Sequence, residues 1–171
     1  MAAADLQALA EAVLDASAEI LGTTGNEAIE RAFVSHGPPA LDCCNQLAVH
    51  VAQIGEAATQ AGTVLLPGMR HAFARVNLTA LMVTVTRCHP TFDEEGRQPP
   101  SAEELNEAAA MLNADAWALW NGLYRMEDDL FDACDLVFFD GVNPLPPQGG
   151  CAGWVMQIRF ELQGYAPPVG S

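Results

Sequence analysis

An alternating run of apolar and polar residues near the C-terminus constrains the fold of this chain more than any other feature. Successive side chains of an extended chain point to opposite faces, so strict alternation predicts a strand with one face on a core. Such a strand must belong to a sheet, and the sheet must be covered. The run follows a glycine-rich turn and reads Gln148-Gly149-Gly150-Cys151-Ala152-Gly153-Trp154-Val155-Met156-Gln157-Ile158-Arg159-Phe160-Glu161-Leu162.

Further strands are predicted earlier in the chain. Residues 45–54 and 77–88 alternate in the same way, and the second segment is dense in β-branched residues. Residues 30–36 are ambiguous between a strand and a helical turn, and Gly37-Pro38-Pro39 favours the strand by ending the segment early. Residues 135–140 predict a short strand, whereas residues 55–68 and the proline-rich residues 141–150 predict a helical turn or loops.

Two helices are predicted. Residues 5–21 have apolar residues at helical spacing, and Gly22 stands where a helix stops. Ser101 and Glu104 form a capping-box motif before a helix that runs to about Met126. Its predicted apolar stripe, widened by Trp117, Trp120 and Tyr124, consists of Leu105, Ala108, Leu112, Ala116, Leu119, Leu123 and Met126.

This element order predicts an α+β fold. We expect an antiparallel-rich sheet of about four to five strands, covered by the N-terminal helix and the long central helix. Residues 1–164 would form a single domain and residues 165–171 a flexible tail with two prolines. No stretch has the length and apolarity of a membrane-spanning helix, and the N-terminal residues lack the basic start of a secretory signal, so a chain made in a cytosol is expected.

The charge balance bears on the class of partner. The formal net charge is −15, and all seven basic residues are arginine. Gripping nucleic acid requires clustered cations, so a nucleic-acid-binding function is not expected. The acidity suits solubility, or a surface that nucleic acid passes without sticking.

Groups that could carry catalysis are few, and we predict no enzyme, cofactor or metal. The four histidines fit no catalytic motif, and His50 is expected to be exposed or at an interface. The acidic residues 128–135 lack the order of a calcium-binding loop, and residues 149–153 lack the Lys-Ser/Thr of a phosphate loop. A small thiol- or metal-dependent enzyme remains an alternative, based on His89 with Cys43, Cys44, Cys88 and Cys151.

Three short segments resemble tail terminator proteins of actinobacterial siphophages. In that family a cysteine-containing element followed by Gln-Leu-x-Val opens the first main strand, an Arg-Cys-x-Pro element ends another strand, and a Gln-Gly-Gly-Cys-x-Gly turn opens the last strand. The matching segments here span most of the chain from about Glu30 to Leu162 and are residues 42–49, residues 87–90 and residues 147–154. The chain departs from the family pattern in its N-terminal helix and in residues 64–75.

The resemblance implies a structural virion protein. Tail terminators are similar to one another in an α/β fold that forms a ring, usually a hexamer. The ring caps the tube of major tail protein, ends its polymerisation and joins the tail to the head-completion (stopper) protein. Genome DNA passes through the lumen without specific binding, and six copies at −15 each would carry −90. The expected location is the tail–neck region of the virion, after assembly in the host cytoplasm and without a membrane partner.

The expected ring requires subunit interfaces, which we predict from strand and loop positions. Candidates are the wet face of the last strand and the proline-rich loop before it, and Arg159 is a candidate for an ion pair with an acidic residue of a neighbouring subunit. Another neck component remains an alternative, although connectors are mainly helical and stoppers are small β-barrels. The predicted interface residues are Val142, Pro144, Leu145, Pro146, Gln157, Arg159 and Glu161.

Overall fold

The computed structural model describes residues 3–40, 45–58, 75–92, 96, 98–148 and 150–162, and it confirms the predicted α+β class. All five strands of these residues form one sheet in the order β1-β2-β3-β5-β4. The elements in chain order are α1 (Ala3–Gly22), β1 (Arg31–Ser35), β2 (Gln46–Ala58), β3 (Arg75–Cys88), α2 (Ala102–Arg125), α3 (Glu127–Leu130), β4 (Cys134–Gln148) and β5 (Cys151–Leu162).

The sheet is antiparallel except at one edge. β2 pairs with β3, β3 with β5 and β5 with β4, all antiparallel, whereas β1 pairs with β2 in parallel. β2–β3 and β4–β5 each pair strands that are consecutive in sequence, and the β3–β5 ladder joins the two pairs. The prediction of a strand in residues 30–36 is confirmed, and β1 is the edge of the sheet opposite to β4.

Both long helices pack on one face of the sheet, here called the helix face. α1 contacts β1 and β2, and α2 contacts β4 and β5. Alternation along β5 buries Met156, Ile158 and Phe160 completely against this layer, as the sequence pattern predicts. The core cluster also contains Val13 and Leu14 of α1, Leu119 and Leu123 of α2, and Leu47, Val49, Leu81, Val83 and Val85 of β2 and β3.

The opposite face of the sheet, here called the far face, carries a mixture of polar and apolar side chains. Val155, Gln157, Arg159 and Glu161 of β5 lie on it and are half-buried. His50 also lies on it, but the prediction that its side chain is exposed is wrong, because it is only 5% exposed. Ala48 and Thr84 are buried there as well. Polarity in an alternating pattern therefore marks which face a residue occupies, not how much water it meets.

The central helix begins where the capping motif predicts. The Ser101 hydroxyl accepts a hydrogen bond from the Glu104 backbone N–H, and the Glu104 carboxylate accepts one from the Ser101 backbone N–H at 2.8 Å. The hydrogen bonds that the Ser101 backbone N–H and the Ser101 hydroxyl donate to the Glu104 carboxylate lower the pKa of Glu104. The predicted stripe is confirmed at Ala108, Leu119 and Leu123, but Leu105 is 40% exposed. Asp115, outside the predicted stripe, is buried instead.

Two loop predictions are wrong. The proline-rich residues 142–148 are the second half of β4, and β2 continues to Ala58 through part of the segment predicted as a loop. Proline lacks a backbone N–H, so it is excluded from central strands but tolerated on an edge strand, where β4 lies. The remainder of residues 55–68, the tail at 165–171, and Cys43 and Cys44 lie outside the described residues.

None of the helices in the described part of the chain is both long and apolar enough to cross a membrane.

Candidate interaction surface

The predicted interface residues lie together on the β4–β5 pair at one edge of the sheet. The register opposes Val142 to Met156 and Pro144 to Trp154, which places Val142 and Pro144 on the helix face. Leu145, opposite Gly153, lies on the far face with Gln157, Arg159 and Glu161. Pro144 and Pro146 are exposed, and the other five predicted residues are half-buried. The predicted set is therefore contiguous but divided between the two faces.

Arg159 has an acidic partner within its own chain. Its guanidinium donates two hydrogen bonds of 2.6 Å each to the Asp140 carboxylate, a bidentate pair on the far face. The bonds to Asp140 raise the pKa of Arg159. The same guanidinium lies 5.5 Å from the ring centroid of Phe138, within cation–π range. Within one chain, the acidic partner of Arg159 is therefore Asp140. An ion pair between Arg159 and an acidic residue of a neighbouring subunit stays a prediction.

Gly141 allows Asp140 to reach Arg159. The register of β4 against β5 shifts between Phe139 and Val142, and Gly141 in this bulge has a φ of +94°. A left-handed backbone of this kind favours glycine, because a Cβ would be strained there. The bulge separates β4 into a first half, residues 134–140, and a proline-containing second half.

Apolar side chains are concentrated around β4. Of the seven large apolar side chains that are exposed in the described part of the chain, four flank this strand. Leu136 and Phe138, each 41% exposed, lie on the far face. Trp117, 70% exposed, and Tyr124, 57% exposed, lie on α2 beside the helix face of β4. We call these four residues together with Trp120 the β4 surface.

Two aromatic residues of the β4 surface, Trp120 and Tyr124, contact rings that lead to the core. Phe139 makes edge contacts with Trp120 and Tyr124, at centroid distances of 6.4 and 5.7 Å. On its other side Phe139 contacts Phe131, which packs against the buried Phe160 at 5.6 Å. Ring contacts of this kind stabilise by about 0.5–1.5 kcal/mol each beyond area burial. Trp120 and Tyr124 are therefore connected to the core through Phe139.

Trp154 of β5 is half-buried and lies next to the β4 surface. With Trp117, Trp120 and Val142 it lines a shallow groove between α2 and β4. Its indole Nε1 is one of two buried side-chain polar atoms in the described residues that lack a hydrogen-bond partner, and the other is His50 Nδ1. A buried donor without a partner costs about 1–3 kcal/mol.

The three segments that carry the family resemblance meet at one end of the sheet. β2 begins there, β3 ends there, and the turn between β4 and β5 lies beside them, because these strands are antiparallel. Arg87 donates to the Asn45 side-chain oxygen at 3.3 Å, and the His89 backbone N–H donates to the Gly150 carbonyl at 2.7 Å. Of the resemblance segments, residues 42–44 and 149 lie outside the described residues. The described parts of the motifs contact one another directly.

Arg87 forms a fully buried ion pair that the sequence pattern did not indicate. Its guanidinium lies 2.7 Å from the Asp115 carboxylate, and both side chains are 0% exposed. Arg87 also donates to the Glu27 carbonyl at 2.6 Å, and the Asn26 side chain donates to Asp115 at 2.7 Å. The pair thus connects β3, α2 and the segment between α1 and β1. The sequence does not indicate that an arginine at a strand end and an aspartate on a helix will form an ion pair.

Two of the cysteines on which the alternative of a thiol- or metal-dependent enzyme is based lie within the described residues. The β3–β5 register places Cys88, which is exposed, opposite Cys151, which is buried. Within the described ranges, no three or more His, Cys, Asp or Glu side chains are grouped so that they could hold a metal ion.

A scan against protein-family models finds no match to this chain, and a search of curated protein sequences finds none either.

Proposed function

We propose that this chain is a tail terminator, a structural virion protein whose copies form a ring, expected to be a hexamer, on the end of a phage tail tube. The ring would stop polymerisation of the major tail protein and join the tail to the head-completion protein. The observation that carries this proposal is the meeting of the three resemblance segments at one end of the sheet. Arg87 and Asn45, and likewise His89 and Gly150, bond across segments far apart in sequence, so the motifs are parts of one structural unit.

The β4 surface supports an assembly function in particular. Exposed large apolar side chains that cluster along one edge of a sheet favour a contact with another protein. The chain carries this surface along a sheet edge, where a neighbouring subunit can approach both the side chains and the strand backbone. A mixed sheet with two helices on one face also differs from the mainly helical connectors and the small β-barrel stoppers of the alternative neck components.

The overall charge suits a ring through which DNA passes. The formal net charge of −15 per chain would give the assembled ring a strongly negative field, which repels the phosphate backbone. An acidic lumen would therefore allow genome DNA to pass without binding.

The proposal is tested by adding the purified chain to the tail-tube protein encoded in the same genome. Tube lengths are measured by negative-stain electron microscopy at increasing chain concentration. We expect tubes to become shorter, with a ring at one tube end marked by a tagged copy of the chain. Tubes of unchanged length, or a chain that decorates the tube wall, would show that it is not a terminator.

A further inference from the structure

Within the residues that the structure describes, β1 and β4 are the two edge strands of the sheet, and they differ in character. In the described part of the chain β1 pairs only with β2, and β4 pairs only with β5. The second half of β4 contains Pro144, Pro146 and Pro147, which have no N–H to offer an added strand. Residues 134–140, before the Gly141 bulge, contain no proline. Of the two halves of β4, therefore, only the first has a backbone N–H at every residue to pair with an added strand.

The side chains beside these two edges are complementary in charge. The sequence of β1, Arg-Ala-Phe-Val-Ser, carries one cation and no acid. Residues 134–140 carry Asp135 and Asp140 and no cation, although Arg159 of β5 binds the Asp140 carboxylate within the same chain. Pairing β4 with β4 of another copy would bring acidic strands together, whereas pairing β4 with β1 brings opposite charges together.

The strand directions fix the orientation of such a pair. β1 runs parallel to β2, and β4 runs antiparallel to both β2 and β5. If copies repeat around a ring with the same face outward, β1 of one copy meets β4 of the next in antiparallel orientation. Each copy then uses one β1 edge and one β4 edge, a head-to-tail contact that generates a ring when the rotation between copies closes.

The far-face side chains also fix a register. Residues 31, 33 and 35 of β1 lie on the far face, and so do residues 136, 138 and 140 of β4. An antiparallel pair centred on Phe33 and Phe138 sets Ser35 opposite Leu136 and Arg31 opposite Asp140. Phe33 and Phe138 each already lie under an arginine, at 5.4 and 5.5 Å. A groove of about 420 Å³ beside Phe33 gives the incoming apolar side chains room.

We propose that β1 of one copy adds antiparallel to residues 134–140 of β4 in the next copy, with Phe33 against Phe138 and Arg31 against Asp140. The sheet then continues from subunit to subunit. This inference rests on the proposed ring function, because that function supplies the second copy.

Cross-linking between two variants tests the pairing. Ser35→Cys and Leu136→Cys chains, which would be neighbours in this register, are prepared separately, mixed, and treated with a short bismaleimide, both alone and on tail tubes. Products are mapped by mass spectrometry, with the wild-type chain as the background from native cysteines. We expect links between positions 35 and 136 of the two variants to be enriched over the wild-type background. Links between two copies of position 136 should not be enriched. A dominant 136–136 link, or no 35–136 link under either condition, overturns the pairing.

Charge reversal adds an independent measurement with a matched control. Arg31→Glu should weaken self-association by about tenfold or more, because it places like charges together at the contact. Arg125→Glu makes the same change of net charge at an exposed position on α2 and should weaken association less than threefold. Equal effects of the two variants overturn the contact at Arg31.

The pairing and the proposed function can fail separately. A chain that shortens tail tubes without the 35–136 link is a terminator whose subunits meet elsewhere. A chain that gives the link but leaves tube length unchanged forms the continuous sheet without being a terminator.

Discussion

Arg87 and Asp115 form the residue-level contact on which the arrangement of the helices depends. A buried ion pair is costly to break, because removing one partner leaves an unpaired charge away from water. Here both side chains are 0% exposed, and each has further partners among the neighbouring segments.

We expect Asp115→Ala to lower the free energy of unfolding by about 3–5 kcal/mol, because Arg87 is left buried without its counter-ion. The double variant Arg87→Met/Asp115→Ala should lose no more than Asp115→Ala, since no charge remains buried. Urea denaturation of both variants and of Arg87→Met checks this. Additive losses in the two single changes would mean that the two side chains are not energetically coupled.

His50 is the second residue-level feature with a measurable consequence. Burial lowers the pKa of His50 below its ordinary value of 6.5. Its register neighbours Ser35 and Met82 carry no charge that would hold a proton on the ring. In the unfolded chain the imidazole takes up a proton near pH 6.5, whereas in the folded chain it does so only at lower pH.

The sign of the pH dependence follows from that difference. Since the unfolded state binds more protons below pH 6.5, stability is fully present above this pH and is lost as the pH falls towards the folded-state pKa. We expect His50→Gln to make the decline of unfolding free energy between about pH 7 and 5 shallower. Thermal denaturation across this range measures it. An unchanged slope in the variant would contradict a neutral buried His50.

At the scale of elements, the sequence predicted α2, α1, β3 and β5 well because each has a strong periodicity of its own. β4 was predicted only in its first half, since three prolines indicate a loop unless the strand is known to be an edge. Edge position depends on the order of strands in the sheet, which alternation within one strand does not contain. The predicted interface residues nevertheless fell on neighbouring strands, because β4 and β5 are consecutive in sequence.

The candidate interaction surface was only partly predictable for a related reason. Trp117 and Tyr124 lie beside the apolar stripe of α2, and their position indicates burial, yet both are exposed at the β4 edge. Helical spacing defines the direction of a side chain but not where the neighbouring sheet ends. The Arg87–Asp115 pair was missed because it joins elements 28 residues apart.

Gly153, the third residue of β5, yields the element-level prediction. A Cβ added at Gly153 would overlap the carbonyl oxygen of Val85 on β3, so the two central strands approach too closely there for any side chain. We expect Gly153→Ala to destabilise the fold by about 1–3 kcal/mol, by forcing β3 and β5 apart. Gly37→Ala is the control, because nothing lies within 4 Å of its added Cβ. Similar denaturation midpoints for the two variants would show that the β3–β5 ladder can absorb the methyl group.

At the scale of the whole molecule, charge and apolar surface act against each other in assembly. Every copy carries a formal net charge of −15, so copies repel at long range. The β4 surface offers short-range attraction that salt does not screen, and the proposed Arg31–Asp140 contact offers a local attraction that salt does screen. The overall repulsion involves far more charges than that single contact, so it should dominate the response to salt.

We therefore expect self-association to strengthen as salt rises. The Debye length falls from about 30 Å at 0.01 M to about 8 Å at 0.15 M, which removes most repulsion between surface charges on neighbouring copies. Light scattering of the wild-type chain at a fixed concentration should show a larger mean mass at 0.15 M than at 0.01 M sodium chloride. Arg31→Gln should show a steeper rise, because it removes the attraction that is strongest at low salt. A mean mass that falls with salt would mean that ion pairs, and not the apolar β4 surface, hold the copies together.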